Sequence, residues 1–135
     1  MDEGSGTALA RKLGIGDDSV VALVGAPDGF SLDLPPGVTV KQRVRGHADV
    51  VVAFFTSATD LERRLEALGS VVFPDGGLWI AWPKRSSGVG SDITDQTVRD
   101  AALPRGLVDN KVCSVDATWS ALRVVWRREN RARRE

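Results

Sequence analysis

Three short segments of the chain are apolar on both faces of an extended strand, and they constrain the fold more than any other feature. They are residues 19–25 (SVVALVG), 49–55 (DVVVAFF) and 78–82 (LWIAW). A strand that is apolar on both faces must be covered on both sides, as the central strands of a parallel sheet are. Helical patterns precede the first segment and follow the other two, so the sequence predicts an α/β fold.

Three helices are predicted from N-cap residues and apolar stripes. The first covers residues 7–13, with Thr7 as its N-cap. The second begins with a capping box formed by Thr59 and Glu62, and the third begins after Thr94 as N-cap. Leucines at helical spacing give the second helix one apolar stripe, which consists of Leu61, Leu65 and Leu68.

The remaining strands determine the predicted order of the sheet. Residues 38–44 place Val38, Val40 and Val44 on one face and polar residues on the other, which indicates a half-exposed strand. Residues 107–115 and 119–128 are typical of a hairpin. Charges expected at sheet edges occur in the second and fifth strands, at Lys41, Arg43, Asp109 and Lys111. We therefore predict a Rossmann-like, mostly parallel sheet of order 2-1-3-4-6-5, with the last strand antiparallel.

Length and charge limit the domain organisation and the classes of partner. The chain has 135 residues, and we expect a single Rossmann-like domain over residues 1–128 and a basic C-terminal tail over residues 129–135. The formal net charge is zero, so no overall field attracts nucleic acid or an anionic membrane. Apolar runs are far shorter than the ~20 residues of a membrane-spanning helix. The N-terminus lacks the plan of a signal peptide, so we expect a cytoplasmic protein without a membrane partner.

The strand order and two segments resemble the Rossmann-like class I methyltransferases. Residues 48–52 (ADVVV) look like the fourth strand of that family. Residues 65–81, with the turn Pro-Asp-Gly-Gly at 74–77, look like the approach to its fifth strand. The resemblance implies a methyltransferase-like fold with a site for S-adenosylmethionine beyond the first strand.

The cofactor motif of that family is degraded in this chain. Gly25 and Gly29 stand where the family has glycines, but Leu23 replaces the acidic residue and Pro27 replaces the middle glycine. The second strand ends at residues 42–45 (QRVR) instead of an acidic residue for the ribose hydroxyls. The crossover between the first two strands is also too short for the helix that would face the cofactor. We therefore expect no cofactor, with methyltransferase activity kept as an alternative.

A second resemblance covers most of the chain. Residues 78–84 carry the motif LWxAWPK, and residues 106–120 carry the motif GLVDxKVCxxDxxWS. Together with residues 12–15 (KLGI) and 91–94 (SDIT), they look like a family of small bacterial proteins known only as a domain of unknown function. This resemblance implies no reaction.

The candidate site lies beyond the carboxyl ends of the strands, where open α/β sheets bind ligands. Lys84 and Arg85 could bind an anion there, helped by Ser86 and Ser87, or the loop could be a solvated turn. Trp82 could form a pocket wall or pack in the core. The tip of the predicted hairpin adds two further candidates, Asp116 and Trp119. For Asp116 the alternative is a cap on the turn.

Several classes of active site are excluded by the residue types. His47 is the only histidine and precedes the third strand, at the opposite edge from the candidate site, which argues against Ser-His or Cys-His catalysis. Cys113 is the only cysteine and lies inside a strand, as an inert thiol would. No cluster of His, Asp and Glu has the spacing of metal ligands, so no metal site is expected.

Three functions remain compatible with the sequence. The first is a non-catalytic, methyltransferase-like binding or regulatory module that contacts a protein or a small anionic ligand. The second is an enzyme or binder that acts on a small anionic ligand through the 83–91 loop, with Lys84 as the key cation. The third is association with nucleic acid through the arginine-rich tail.

Overall fold

The computed structural model describes residues 5–131, with side chains from residue 8 onward. Within that range the chain forms a mixed α/β fold. The helices are α1 (Ser5–Lys12), α2 (Ala58–Val72) and α3 (Asp95–Ala102). The strands are β1 (Val20–Val24), β2 (Thr39–Lys41), β3 (Val50–Phe54), β4 (Gly77–Pro83), β5 (Leu107–Ser114) and β6 (Trp119–Trp126).

The six strands form one sheet of order β2-β1-β3-β4-β6-β5, which confirms the predicted order. Strands β1 to β4 are parallel to one another, and β6 is antiparallel to both β4 and β5. Every residue of β3 and β4 is buried, as apolar central strands should be. The edge strands β2 and β5 carry the exposed polar residues.

Each face of the sheet is covered by its own apolar cluster. On one face, α2 and α3 pack against the sheet, and the leucine stripe of α2 is fully buried. On the other face, α1 and the long connection between β1 and β2 cover the sheet. Trp82 belongs to the first cluster and Trp79 to the second, so these two tryptophans point to opposite faces as predicted.

The helix starts differ from the prediction at two of the three N-caps. The N-cap of α2 is Ser57, whose hydroxyl accepts a hydrogen bond from Asp60 N at 3.3 Å, so Thr59 lies inside the first turn. Thr7 lies inside α1, which begins at Ser5. The prediction for α3 is confirmed, because Thr94 and Thr97 form a reciprocal capping box.

The second strand is shorter than predicted. Only Thr39–Lys41 pairs with β1, because Lys41 Nζ donates to Arg45 O and holds the following residues in a tight loop. Val38 packs on the α1 side and Val44 on the α2 side, so the prediction that the valines share one face is wrong. Val40 is exposed.

The end of the described chain is bound to the fold. Asn130 Nδ2 donates to Gly106 O at 3.1 Å, and Arg131 Nε donates to Trp126 O at 3.0 Å. Residues 132–135 of the predicted basic tail lie outside the described residues, and the domain boundary at residue 128 stays a prediction. None of the helices in the described range is long and apolar enough to cross a membrane.

Candidate functional site

Two cavities open at the carboxyl edge of the sheet. Strands β1, β3 and β4 end at this edge. Strand β6 begins there, since its first residue, Trp119, pairs with Pro83 at the end of β4. The larger cavity has a volume of about 550 Å³ and the smaller about 350 Å³. Val89 lines both cavities and is 45% exposed, so it stands between them on an open surface.

The larger cavity combines apolar walls with a few polar groups. Trp82, Pro83 and Ile93 form its apolar part. Its polar part consists of Arg85, of Ser91, Asp92 and Thr94 before α3, and of Asp95 at the start of α3. Apolar walls with a small number of oriented polar groups are the usual composition of a small-molecule site.

In this cavity, Trp82 offers an indole N–H that is free to donate a hydrogen bond. The indole nitrogens of Trp79 and Trp126 each donate to a carbonyl oxygen at 2.9 Å. Trp82 is 8% exposed, and its Nε1 has no hydrogen-bond acceptor within residues 5–131. Every fully buried side-chain nitrogen in that range has a hydrogen-bond partner. Since the Trp82 N–H has none there, it is not fully buried, and solvent reaches it. This N–H is available to a ligand.

Lys84 is held by the β5–β6 hairpin. Its Nζ donates to Ser114 Oγ at 2.6 Å and to Asp116 O at 2.7 Å. Its backbone N donates to Thr118 O at 2.7 Å. Three hydrogen bonds therefore connect the end of β4 to the hairpin tip, and the ammonium group already has two protein acceptors.

Arg85 is the cation that remains available in the predicted anion-binding loop. Residues Arg85–Ser87 form a single 3₁₀ turn. Ser87 Oγ donates to Lys84 O and accepts from Val89 N, so this hydroxyl stabilises the turn, while Ser86 is exposed. The Arg85 guanidinium is exposed, lines the larger cavity, and has no hydrogen bond or ion pair within the described part of the chain.

Asp116 and Trp119 have structural contacts at the tip of the hairpin. Asp116 Oδ1 accepts hydrogen bonds from Thr118 N and Trp119 N, each at 2.8 Å. This geometry is the turn cap that the sequence offered as the alternative to ligand binding. The Trp119 ring packs edge-on against Phe54, with ring centroids 5.1 Å apart. Both residues also line the smaller cavity.

The N-terminus of α3 is already occupied by its own side chains. Thr97 N donates to Thr94 Oγ1, and Gln96 N donates to Asp95 Oδ1. Asp95 also forms a salt bridge with Arg99 at 2.9 Å. Hydrogen bonds to Asp109, then to Asp95, raise the pKa of Arg99. An anion in the larger cavity would therefore depend on Arg85 and not on the helix N-terminus.

Aromatic rings pack beside the smaller cavity at the switch point between β1 and β3. Phe30 packs edge-on against Phe54, with ring centroids 5.0 Å apart, and Phe54 contacts Trp119 in the same way. We call these three residues the aromatic cluster. The connection that carries Phe30 contains no helix, and its apolar side chains cover the sheet instead. Sequence reasoning missed Phe30, whose only signal was an apolar residue directly after the turn that ends at Gly29.

Gly25 has a structural role at the same place. It adopts a φ of +68°, and a Cβ atom there would lie 3.1 Å from Phe54 O. The left-handed conformation and the close approach to β3 both favour glycine. Gly25, one of the two glycines that the methyltransferase motif shares with this chain, is therefore required by the fold itself.

No metal centre is found among the residues that the structure describes, since no three His, Cys, Asp or Glu side chains come together there. Cys113 is buried, and burial raises the pKa of its thiol, although Lys12 and Lys84 act in the opposite direction. His47 is exposed and precedes β3, at the edge opposite the cavities.

The fold is similar to that of several solved methyltransferases. A SAM-dependent methyltransferase from Aquifex aeolicus aligns with a TM-score of 0.66 and 14% identity over 88% of each chain. The magnesium protoporphyrin IX methyltransferase of Synechocystis PCC 6803 aligns with a TM-score of 0.60 and 12% identity over 92% of this chain and 84% of that one. The mitomycin 7-O-methyltransferase MmcR aligns with a TM-score of 0.63 and 14% identity over 91% of this chain and 54% of that one.

At these identities the similarity establishes the fold and no more. No protein-family model and no curated protein matches the sequence. The resemblance to the small bacterial family of unknown function therefore stays a prediction. The chain has the Rossmann-like fold of SAM-dependent methyltransferases, which confirms the resemblance that its strand order indicated.

Proposed function

We propose that this chain is a non-catalytic binding or regulatory module built on the methyltransferase-like fold. One observation carries the proposal: Phe30 packs on Phe54 at the switch point, where sheets of this class bind their ligands. Displacing Phe30 would expose the ring of Phe54, which is 7% exposed, and would break the edge-on contact between the two rings. A cofactor at that place would have to compensate for the loss of this packing.

The surroundings of the aromatic cluster support the same proposal. Lys41 and Arg43 stand at and just beyond the end of β2, where the family resemblance would require a carboxylate for the ribose hydroxyls. Gly25 is accounted for by its distance from Phe54 O, so it does not argue for a cofactor. The methyltransferase-like framework is thus retained while the groups that would hold its cofactor are replaced.

The larger cavity is the surface with which this module would bind. Its apolar walls suit a ligand with an apolar body, and Arg85 and the Trp82 N–H suit an anionic group on that ligand. The anionic group would lie against Arg85, since Asp92 and Asp95, which also line the cavity, repel an anion. A protein partner could present the same chemistry as a carboxylate next to an apolar side chain.

A thermal-shift panel of coenzymes, nucleotides and small carboxylic and phosphorylated acids tests this proposal. We expect no stabilisation by S-adenosylmethionine. We expect stabilisation by an anionic compound that Arg85→Gln and Trp82→Phe abolish. Arg64→Gln is the matched control, because Arg64 is exposed on α2 and its substitution removes the same charge. Stabilisation by S-adenosylmethionine in the wild type would contradict the proposal.

The alternative is an enzyme or binder that uses Lys84 on a small anionic ligand. Lys84 is not among the described lining residues of either cavity, but its neighbours Pro83 and Arg85 line the larger one, which favours this alternative. Ser114 Oγ and Asp116 O already accept hydrogen bonds from Lys84 Nζ. A ligand would have to replace those acceptors. If Lys84→Ala removed ligand stabilisation without lowering the melting temperature of the free protein, the alternative would be preferred.

A further inference from the structure

A third cavity lies at the end of β2 and is surrounded by cations. It has a volume of about 370 Å³ and is lined by Lys41, Gln42, Arg43 and Arg45. Its described lining residues differ from those of the two cavities of the carboxyl edge. Its volume falls within the range of small-molecule sites. Among the residues whose side chains the structure describes, no carboxylate lines it.

Lys41 holds the loop that forms this cavity. Its Nζ donates to Arg45 O at 2.9 Å and to His47 O at 3.2 Å. Gly46 turns the chain between these two carbonyls with a φ of +67°. The ammonium group of Lys41 therefore closes the loop on itself, so that the positions of Arg43 and Arg45 are fixed relative to each other.

The two arginines of the loop lack the carboxylate partners that four arginines elsewhere in the described chain have. Four arginines elsewhere in the described chain form salt bridges with carboxylates: Arg63, Arg99, Arg105 and Arg127. Arg43 and Arg45 are exposed, and within residues 5–131 neither guanidinium has a hydrogen bond or an ion pair. Two like charges next to one cavity repel each other, and an anion between them relieves that repulsion.

We propose that this loop is a binding site for a small phosphate-bearing ligand. Arg43 and Arg45 would bind the phosphate oxygens, because a guanidinium offers paired N–H donors that match phosphate geometry. Two guanidinium groups on alternate residues favour a ligand with adjacent phosphate groups, such as a diphosphate. Lys41 is a positioning residue that keeps the loop closed. This site does not depend on the function proposed for the carboxyl edge.

Isothermal titration calorimetry with inorganic pyrophosphate at constant ionic strength tests the proposal. We expect saturable binding of one pyrophosphate per chain. Arg43→Gln and Arg45→Gln should each weaken it by about tenfold or more, as the loss of a charge-assisted hydrogen bond does. Arg64→Gln is the matched control and should change the affinity less than about twofold. Lys41→Met should weaken binding, and Lys41→Arg should restore it.

Three results would overturn the proposal. The first is no saturable heat for the wild-type protein with pyrophosphate at millimolar concentration. The second is an affinity that Arg43→Gln and Arg45→Gln leave unchanged, or that Arg64→Gln lowers equally, because the interaction would then be a general charge effect. The third is tighter binding of a single-stranded oligonucleotide through the same two arginines, which would assign the loop to nucleic acid.

Discussion

Lys84 Nζ donates a hydrogen bond to Asp116 O at 2.7 Å, and this contact fastens the tip of the β5–β6 hairpin to the end of β4. Ser114 Oγ accepts a second bond from the same nitrogen at 2.6 Å. Two residues that the sequence marked as candidates for ligand binding are thus partners in one structural contact. Lys84 is therefore a structural contact, and Arg85 is the cation of that loop that can bind a ligand.

Lys84→Met should lower the free energy of unfolding by about 1–2 kcal/mol, since it removes two hydrogen bonds from a charged donor. Urea denaturation of the ligand-free protein measures this change. Arg85→Gln is the control. We expect it to change the free energy of unfolding by no more than about 0.5 kcal/mol, because the Arg85 side chain has no hydrogen bond or ion pair within the described residues. Equal stability of Lys84→Met and the wild type would show that Lys84 is not a structural contact.

Gly76→Ala should destabilise the protein more than Gly77→Ala. A Cβ at Gly76 would lie 2.7 Å from Asp49 O and 2.9 Å from Val72 O, and backbone atoms yield little. A Cβ at Gly77 would meet the Arg123 guanidinium group, which can move. We expect a loss of roughly 1–3 kcal/mol for Gly76→Ala, as for other overpacked sites. Thermal unfolding of both variants checks the order, and the reverse order would contradict this account.

Cys113 should make the protein less stable at alkaline pH. Burial raises the pKa of its thiol, whereas a thiol in the unfolded chain has a pKa of about 8.5. Above that pH the unfolded chain loses a proton that the folded chain keeps, so stability falls as the pH rises through this window. Below about pH 8 the contribution is fully present.

The difference between the wild type and Cys113→Ala isolates this contribution from other titrating groups. Urea denaturation at pH 7 and at pH 10 should show a larger loss of stability for the wild type than for the variant. Equal losses in both proteins would mean that the Cys113 thiol titrates alike in the folded and unfolded chain.

The sheet could be predicted from the sequence because its signals are local. Segments that are apolar on both faces identified β1, β3 and β4, and charges at Lys41 and Lys111 identified the edges. Helix starts were harder, since Ser57 and Thr59 are both suitable N-caps and only the backbone conformation distinguishes them.

The contacts of the candidate site could not be predicted, because they join distant parts of the chain. Lys84 and Ser114 are separated by 30 positions, and nothing local shows that they are in contact. Phe30 packs on Phe54 from a connection without secondary structure, where no periodicity reveals the buried side. Sequence patterns thus locate the edge of the sheet that bears the site. Which side chains at that edge already have a protein partner depends on tertiary packing.

The contact between Phe30 and Phe54 at the switch point is central to the functional proposal, and calorimetric titration with S-adenosylhomocysteine tests that proposal most directly. We predict no saturable heat for the wild-type protein at ligand concentrations up to about 1 mM, a level that would reveal an interaction of about −4 kcal/mol. Phe30→Ala serves as a companion variant, since it opens the space beside Phe54. Binding of one ligand per wild-type chain with a micromolar dissociation constant would contradict the account.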